Sequence, residues 1–204
     1  MALIYAATLT PGKLDLLNAW LPGRPWYDGQ GDVVQLGAYR FDDPAGEVGV
    51  ETFLLRAAGG AVLHVPVTYR AAELPGAAAH LVGTTEHSVL GTRWVYDAAA
   101  DPVWAGAVAS AVLTGGTQVE EVLDVDGRRE PREPSAYVRG SGTPGTPVPV
   151  VTEVNARDEG PTTVVGAGDL ELVLVRVVGA EVRGRQVLTG TWPGGTGVLV
   201  GLRG

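Results

Sequence analysis

Val33-Val-Gln-Leu-Gly-Ala-Tyr-Arg-Phe41, Val48-Gly-Val-Glu-Thr-Phe-Leu-Leu-Arg56 and Ala61-Val-Leu-His-Val-Pro-Val-Thr-Tyr69 follow one another with only short gaps between them. Each run is rich in β-branched and aromatic residues, and Gly59-Gly60 separates the last two as a hairpin signal. They predict neighbouring strands of one antiparallel sheet. Pro66 favours an edge or a bulge for the third run, because it brings no N–H to a ladder. Upstream, Thr10 as cap, Pro11 in the first turn and Leu14, Leu17 and Trp20 at helical spacing predict a short helix ended by Pro22-Gly23. Downstream, 81–89 and 93–97 read as two more strands around the Leu90-Gly91 turn. Asp101-Pro102 then supplies an N-cap and a first-turn proline for a helix to about Thr114, stopped by Gly115-Gly116. That helix is apolar almost all round, so it is expected to lie buried against the sheet.

Past Gly116 the pattern is almost entirely β, with strands expected at 119–125, 135–139, 148–154, 162–165, 170–178, 186–191 and 198–202. The stretch 139–149 holds three Gly and three Pro and reads as a loop or linker. The fold class is therefore α+β, with regions at 1–115 and 116–204.

Composition narrows the function. The 204 residues carry 15 Lys plus Arg against 23 Asp plus Glu, a net charge of −8, which argues against a nucleic-acid partner. The absence of cysteine excludes disulfides, Cys-type zinc sites and thiol catalysis. No apolar run reaches the ~20 residues that span a bilayer, and no secretory leader is visible, so no membrane partner and a cytoplasmic location are expected. The only lysine is Lys13, and any lysine-dependent mechanism must use it.

Few motifs carry chemistry. Asp124-Val-Asp-Gly127 has the opening of a calcium loop but not its later ligands, and Asp126-Gly127 reads as a hairpin turn. His64, His80 and His87 have no zinc spacing. None of Ser88, Ser110, Ser135 and Ser141 sits in a Gly-x-Ser-x-Gly elbow. No P-loop can be written around Lys13. No catalytic, cofactor-binding or metal-binding residue is expected, and no cofactor. Trp26 and Tyr27, in the turn-rich stretch 21–31, either plug the sheet edge or anchor a partner chain or sugar ring, with Arg24 and Asp28 as the polar rim of that candidate interaction surface.

Two longer motifs carry a resemblance. Trp20-Leu-Pro-Gly-Arg-Pro-Trp-Tyr-Asp-Gly-Gln-Gly31 and Glu86-His-Ser-Val-Leu-Gly-Thr-Arg-Trp-Val-Tyr-Asp97, the latter followed by Asp101-Pro102-Val103, are similar to the N-terminal cap of actinobacterial maltokinases and related sugar kinases. The resemblance covers about residues 5–115. It implies a curved, cystatin-like antiparallel sheet packed on helices (1–115), followed by a β-rich, kinase-N-lobe-like intermediate subdomain (116–204). His87, Arg93, Trp94, Tyr96 and Asp97 are then motif residues with structural roles.

The family transfers phosphate from ATP to maltose or a related sugar, in pathways linking trehalose and glycogen. Its strand lysine falls near Val175 or Arg176, neither of them lysine, and its helical lobe has no counterpart in the 26 residues after Val178. The resemblance thus leans away from an enzyme. It implies a non-catalytic cap-like partner or regulatory protein in α-glucan or trehalose metabolism. One part of a split sugar kinase and a stand-alone glucan- or small-ligand-binding module are the alternatives. A kinase or glucan-pathway enzyme is the expected protein partner, and a sugar the expected ligand.

Overall fold

The computed structural model describes residues 2–5, 7–125 and 128–203. In chain order these form β1 (Ala2–Tyr5), β2 (Leu9–Thr10), α1 (Lys13–Trp20), β3 (Val34–Phe41), β4 (Gly49–Arg56), β5 (Val62–Arg70), β6 (Leu81–His87), β7 (Gly91–Asp97) and α2 (Pro102–Thr114). There follow β8 (Glu121–Val125), β9 (Arg128–Arg132), β10 (Tyr137–Gly140), β11 (Asn155–Glu159), β12 (Thr162–Ala167), β13 (Leu170–Val175), β14 (Gln186–Trp192) and β15 (Gly195–Arg203). Most of the regular structure is antiparallel sheet, with few helices, an α+β fold. One six-stranded sheet runs β2-β6-β7-β5-β4-β3, a second runs β10-β14-β15-β13-β12-β11, and β1-β8-β9 make a small third.

The three opening runs pair as neighbours, and alternation along β4 explains why that strand is buried on both faces. Phe53 and Leu55 point to one side, where Leu17, Trp20 and Leu21 of the α1 region cover them. Val50 and Leu54 point to the other, where Trp104 and Val108 of α2 meet Leu174 and Leu199 of the second sheet. The two helices therefore lie on opposite faces of the first sheet. Asp101 caps α2 by accepting from the Val103 N–H at 2.9 Å, Pro102 opens it and Gly115 closes it at φ 71°. That helix touches β3, β10, β12 and β14, so regions 1–115 and 116–204 share one apolar cluster.

Several expectations need correcting. Thr10 is not the cap of α1, because it pairs with Glu86 in β2; Gly12 holds that place, and Asp15 accepts a hydrogen bond from its N–H at 3.1 Å. Residues 148–154 form no strand. Pro147 and Pro149 remove alternate N–H donors; Val150 is 90% exposed while Val151 and Val154 rest on the core. Strands β1, β2 and β11 carry no apolar alternation and were not expected. The Asp126-Gly127 turn lies outside the described residues, although β8 and β9 pair antiparallel on either side of it.

Pro66 is neither at an edge nor in a bulge: it lies in β5, inside the first sheet, opposite Thr52 of β4. On its other side β5 changes partner. Residues Val67 to Arg70 pair with β7, whereas the His64 N–H donates to Arg176 O at 2.9 Å and Val62 O accepts from the Val178 N–H at 2.8 Å. Pro66 is two residues from His64 and faces the same way, so its missing N–H falls at the seam between those partners.

The loop after β10 is fastened rather than loose. Gly142 and Thr143 donate to Val112 O and Leu113 O, the last carbonyls of α2, each at 2.9 Å.

Candidate functional site

The segment that follows α1 turns once through a 3-10 helix, Leu21–Gly23, with Pro22 in its first turn. This bend brings Trp26 back against Trp20, edge to face at 5.8 Å between ring centres. The Arg24 guanidinium lies over the Trp20 ring, 4.8 Å from its centre, and the Arg176 guanidinium lies over the Trp26 ring at the same distance. Trp26 is buried; Arg24 and Tyr27 are half-buried and Asp28 is exposed. The Tyr27 hydroxyl donates to Gly31 O at 3.2 Å.

The second motif spans the β6–β7 hairpin. At its tip, His87 Nδ1 accepts from the backbone N–H groups of Val89 and Leu90, both at 3.2 Å, and the Arg93 guanidinium donates to Leu90 O. Trp94 is half-buried on β7. The Tyr96 hydroxyl accepts from the Leu74 N–H at 3.0 Å. Asp97, at the end of β7, starts a 3-10 turn by accepting from Ala99 N–H, and its other oxygen accepts from Arg176 Nη2 at 2.6 Å.

The fold thus gathers Trp26, Asp97 and Arg176 from three distant segments and leaves His87 and Arg93 at the hairpin tip. Arg176 has no solvent exposure. Its Nε donates to Thr163 Oγ1 at 2.7 Å, and the Thr163 hydroxyl donates to Asp158. Beside it, His64 is sealed as well: Nδ1 donates to Val175 O at 3.0 Å, which leaves Nε2 to accept from the Tyr39 hydroxyl at 2.9 Å. Thr163 and Val175 O were not foreseeable, because their role depends on the strand pairing alone.

A second buried charge cluster holds the only lysine. Lys13 Nζ contacts both oxygens of Glu51 at 2.7 and 2.9 Å, Arg40 Nη2 reaches one of them at 2.9 Å, and the Tyr69 hydroxyl donates to the other at 2.9 Å. Lys13 is therefore a strut from α1 to β4.

Both clusters tie stability to pH. Burial lowers the pKa of His64 from 6.5 to about 3, with Arg176 adding to the shift against the bond to Val175 O. Burial alone would raise Glu51, but Arg40 and Lys13, with the hydrogen bonds from Lys13 and Tyr69, bring it from 4.5 to about 2. In both cases the unfolded chain takes the proton first as pH falls. The contribution of His64 is complete above 6.5 and is lost progressively toward about 3, while that of Glu51 is lost from 4.5 toward about 2. One such proton changes stability by about 1.4 kcal/mol per pH unit. Urea unfolding is expected to show a loss of about 2 kcal/mol from His64 between about pH 7.5 and about pH 5. His64→Gln should flatten the profile there; an unchanged slope would show that His64 titrates freely.

Chemically, most of these groups pair with one another, while Trp20 Nε1, Arg24 Nε, Trp26 Nε1 and Arg176 Nη1 have no hydrogen-bond partner among the described residues; none of them forms a pair of nucleophile and base. Among the described residues, no group of three His, Cys, Asp or Glu is placed to hold a metal ion. No described helix is long and apolar enough to cross a membrane. Two clefts lie elsewhere: one of about 670 Å³ beside β10 and β14, and one of about 380 Å³ between 74–80 and 152–156. Against known proteins, residues 20–101 match the family described as the maltokinase N-terminal cap domain, a stretch that contains both motifs. No match is found among curated proteins.

Proposed function

We propose, with a maltokinase cap-like stretch at 20–101 as the premise, that this chain is a non-catalytic partner or regulatory module in α-glucan or trehalose metabolism. Residues 116–204 are read with it as a kinase-N-lobe-like region that has lost its nucleotide chemistry. One observation carries the reading. Phosphoryl transfer needs a cation that reaches the phosphates of ATP. Arg176 stands where the resemblance places that cation, yet it has no solvent exposure and is committed to Asp97 and Thr163. A phosphate could reach it only by breaking a buried ion pair at the seam between two sheets. Arginine's fixed fork and permanent charge also make it a poor stand-in for lysine. A purified sample given ATP, magnesium and maltose or glucosamine is expected to release no ADP above the protein-free rate. Turnover that scales with protein and survives repurification would overturn the reading.

A further inference from the structure

The larger cleft has a composition that the buried clusters do not share. On β10 and β14, Tyr137 pairs with Thr191 and Arg139 with Thr189. Strand alternation turns Val138, Leu188 and Trp192 to the core and leaves those four side chains outward. The chain crosses beside them at Thr117, which bridges to Arg139, and at Gln118, whose Oε1 accepts from the Val138 N–H at 2.8 Å. That bond orients the Gln118 amide so that its Nε2 is left to donate. Tyr137 is 49% exposed, and its hydroxyl donates to Glu133 Oε2 at 3.0 Å at the rim of the cleft.

We propose that this cleft binds a neutral oligosaccharide. A sugar ring has an apolar C–H face and a rim of hydroxyls that both donate and accept. A half-exposed tyrosine offers that face a platform, and threonine hydroxyls, the Gln118 amide and the Arg139 fork offer the rim matched partners. No carboxylate or lysine lines the cleft, and Arg139 is its single charge. One cation on a chain of net charge −8 does not suit a polyanion such as a nucleotide or nucleic acid. The cleft, of about 670 Å³, is shallow and open, which suits a ligand that keeps one face in water. Of the two aromatics that the sequence nominates for a partner or a sugar, Trp26 is buried and Tyr27 is half-buried with its hydroxyl on Gly31 O, so the more exposed platform is Tyr137. This proposal does not rest on the non-catalytic reading, since ATP turnover and sugar binding are measured separately and either can fail alone.

The test is NMR titration of the full chain with maltoheptaose, with a β-1,4-linked glucan oligomer, and with inorganic phosphate. Amide shifts centred on 137–141 and 189–191 are expected with at least one sugar at up to about 10 mM. Tyr137→Ala and Arg139→Ala, both outward-facing, should keep the fold and weaken binding at least about tenfold, whereas Tyr137→Phe keeps the platform and should bind nearly as well as the parent. Three results overturn the proposal: no shifts with either sugar, shifts centred elsewhere, or a response to phosphate alone that ignores Tyr137.

Discussion

Asp97→Ala is expected to cost about 3–5 kcal/mol of stability, among the largest effects of any single change here. The reason lies in what is left behind. Arg176 is fully buried, its charge is matched by Asp97 at 2.6 Å, and its Nη1 has no hydrogen-bond partner among the described residues. Removing the carboxylate strands a desolvated guanidinium that cannot discharge its proton. Asp97→Asn separates the charge from the backbone role, because it keeps an acceptor for Ala99 N–H and loses only the ion pair. It should retain the 3-10 turn and still lose the larger part of the stability. Replacing both partners, Asp97→Leu with Arg176→Met, should recover most of the loss, since apolar groups of similar volume can take the place of a buried pair. Urea unfolding of the four proteins decides it. A loss below about 1 kcal/mol in Asp97→Ala would show that Arg176 finds water or another acceptor at little cost.

Gly142→Ala comes next, at about 3 kcal/mol, for a steric reason. A methyl group there would run into the carbonyl oxygens of Leu113 and Val112 at the end of α2. The loop would have to withdraw, giving up the two bonds by which Gly142 and Thr143 satisfy those carbonyls. Overpacking costs about 1–3 kcal/mol and each lost bond about 1. Gly145→Ala is the control. It has a φ of 87° and open space around it, so only backbone strain of about 1–2 kcal/mol is expected. Equal melting temperatures for the two variants would mean that the loop does not grip the helix.

What the sequence made legible follows from where the information sits. Val50 to Leu55, the Asp101-Pro102 start and the Gly115 stop are local signals, and each appears in the fold. Strand β11, Asn-Ala-Arg-Asp-Glu, has no local signal at all; its register against β12 makes it a strand. The same distinction runs through the candidate site. Trp26 and Asp97 stand out in the sequence as motif residues, and Arg176 as the misplaced cation. Nothing in linear order says that they meet, because the meeting depends on β5 exchanging β7 for residues 176–178. Tyr137 was passed over because a lone tyrosine beside a predicted strand end is ordinary until the opposite strand places Thr191 beside it.

That exchange of partners also sets a timetable for synthesis. His64 finds its backbone partner in Arg176, 112 residues later in the chain. At the usual pace of about 5–20 residues per second, a ribosome needs roughly 6–22 s to make that stretch. Hairpins form in microseconds, so β4 and β5 can pair long before then. During the wait, the part of β5 that β7 does not cover, Val62 to Val65, stays open as a template for any passing strand. Pro66 sits at its end. By withholding one N–H where the open row meets β7, it makes the nascent edge a poor match for strangers while leaving the bonds that Arg176 and Val178 will later complete.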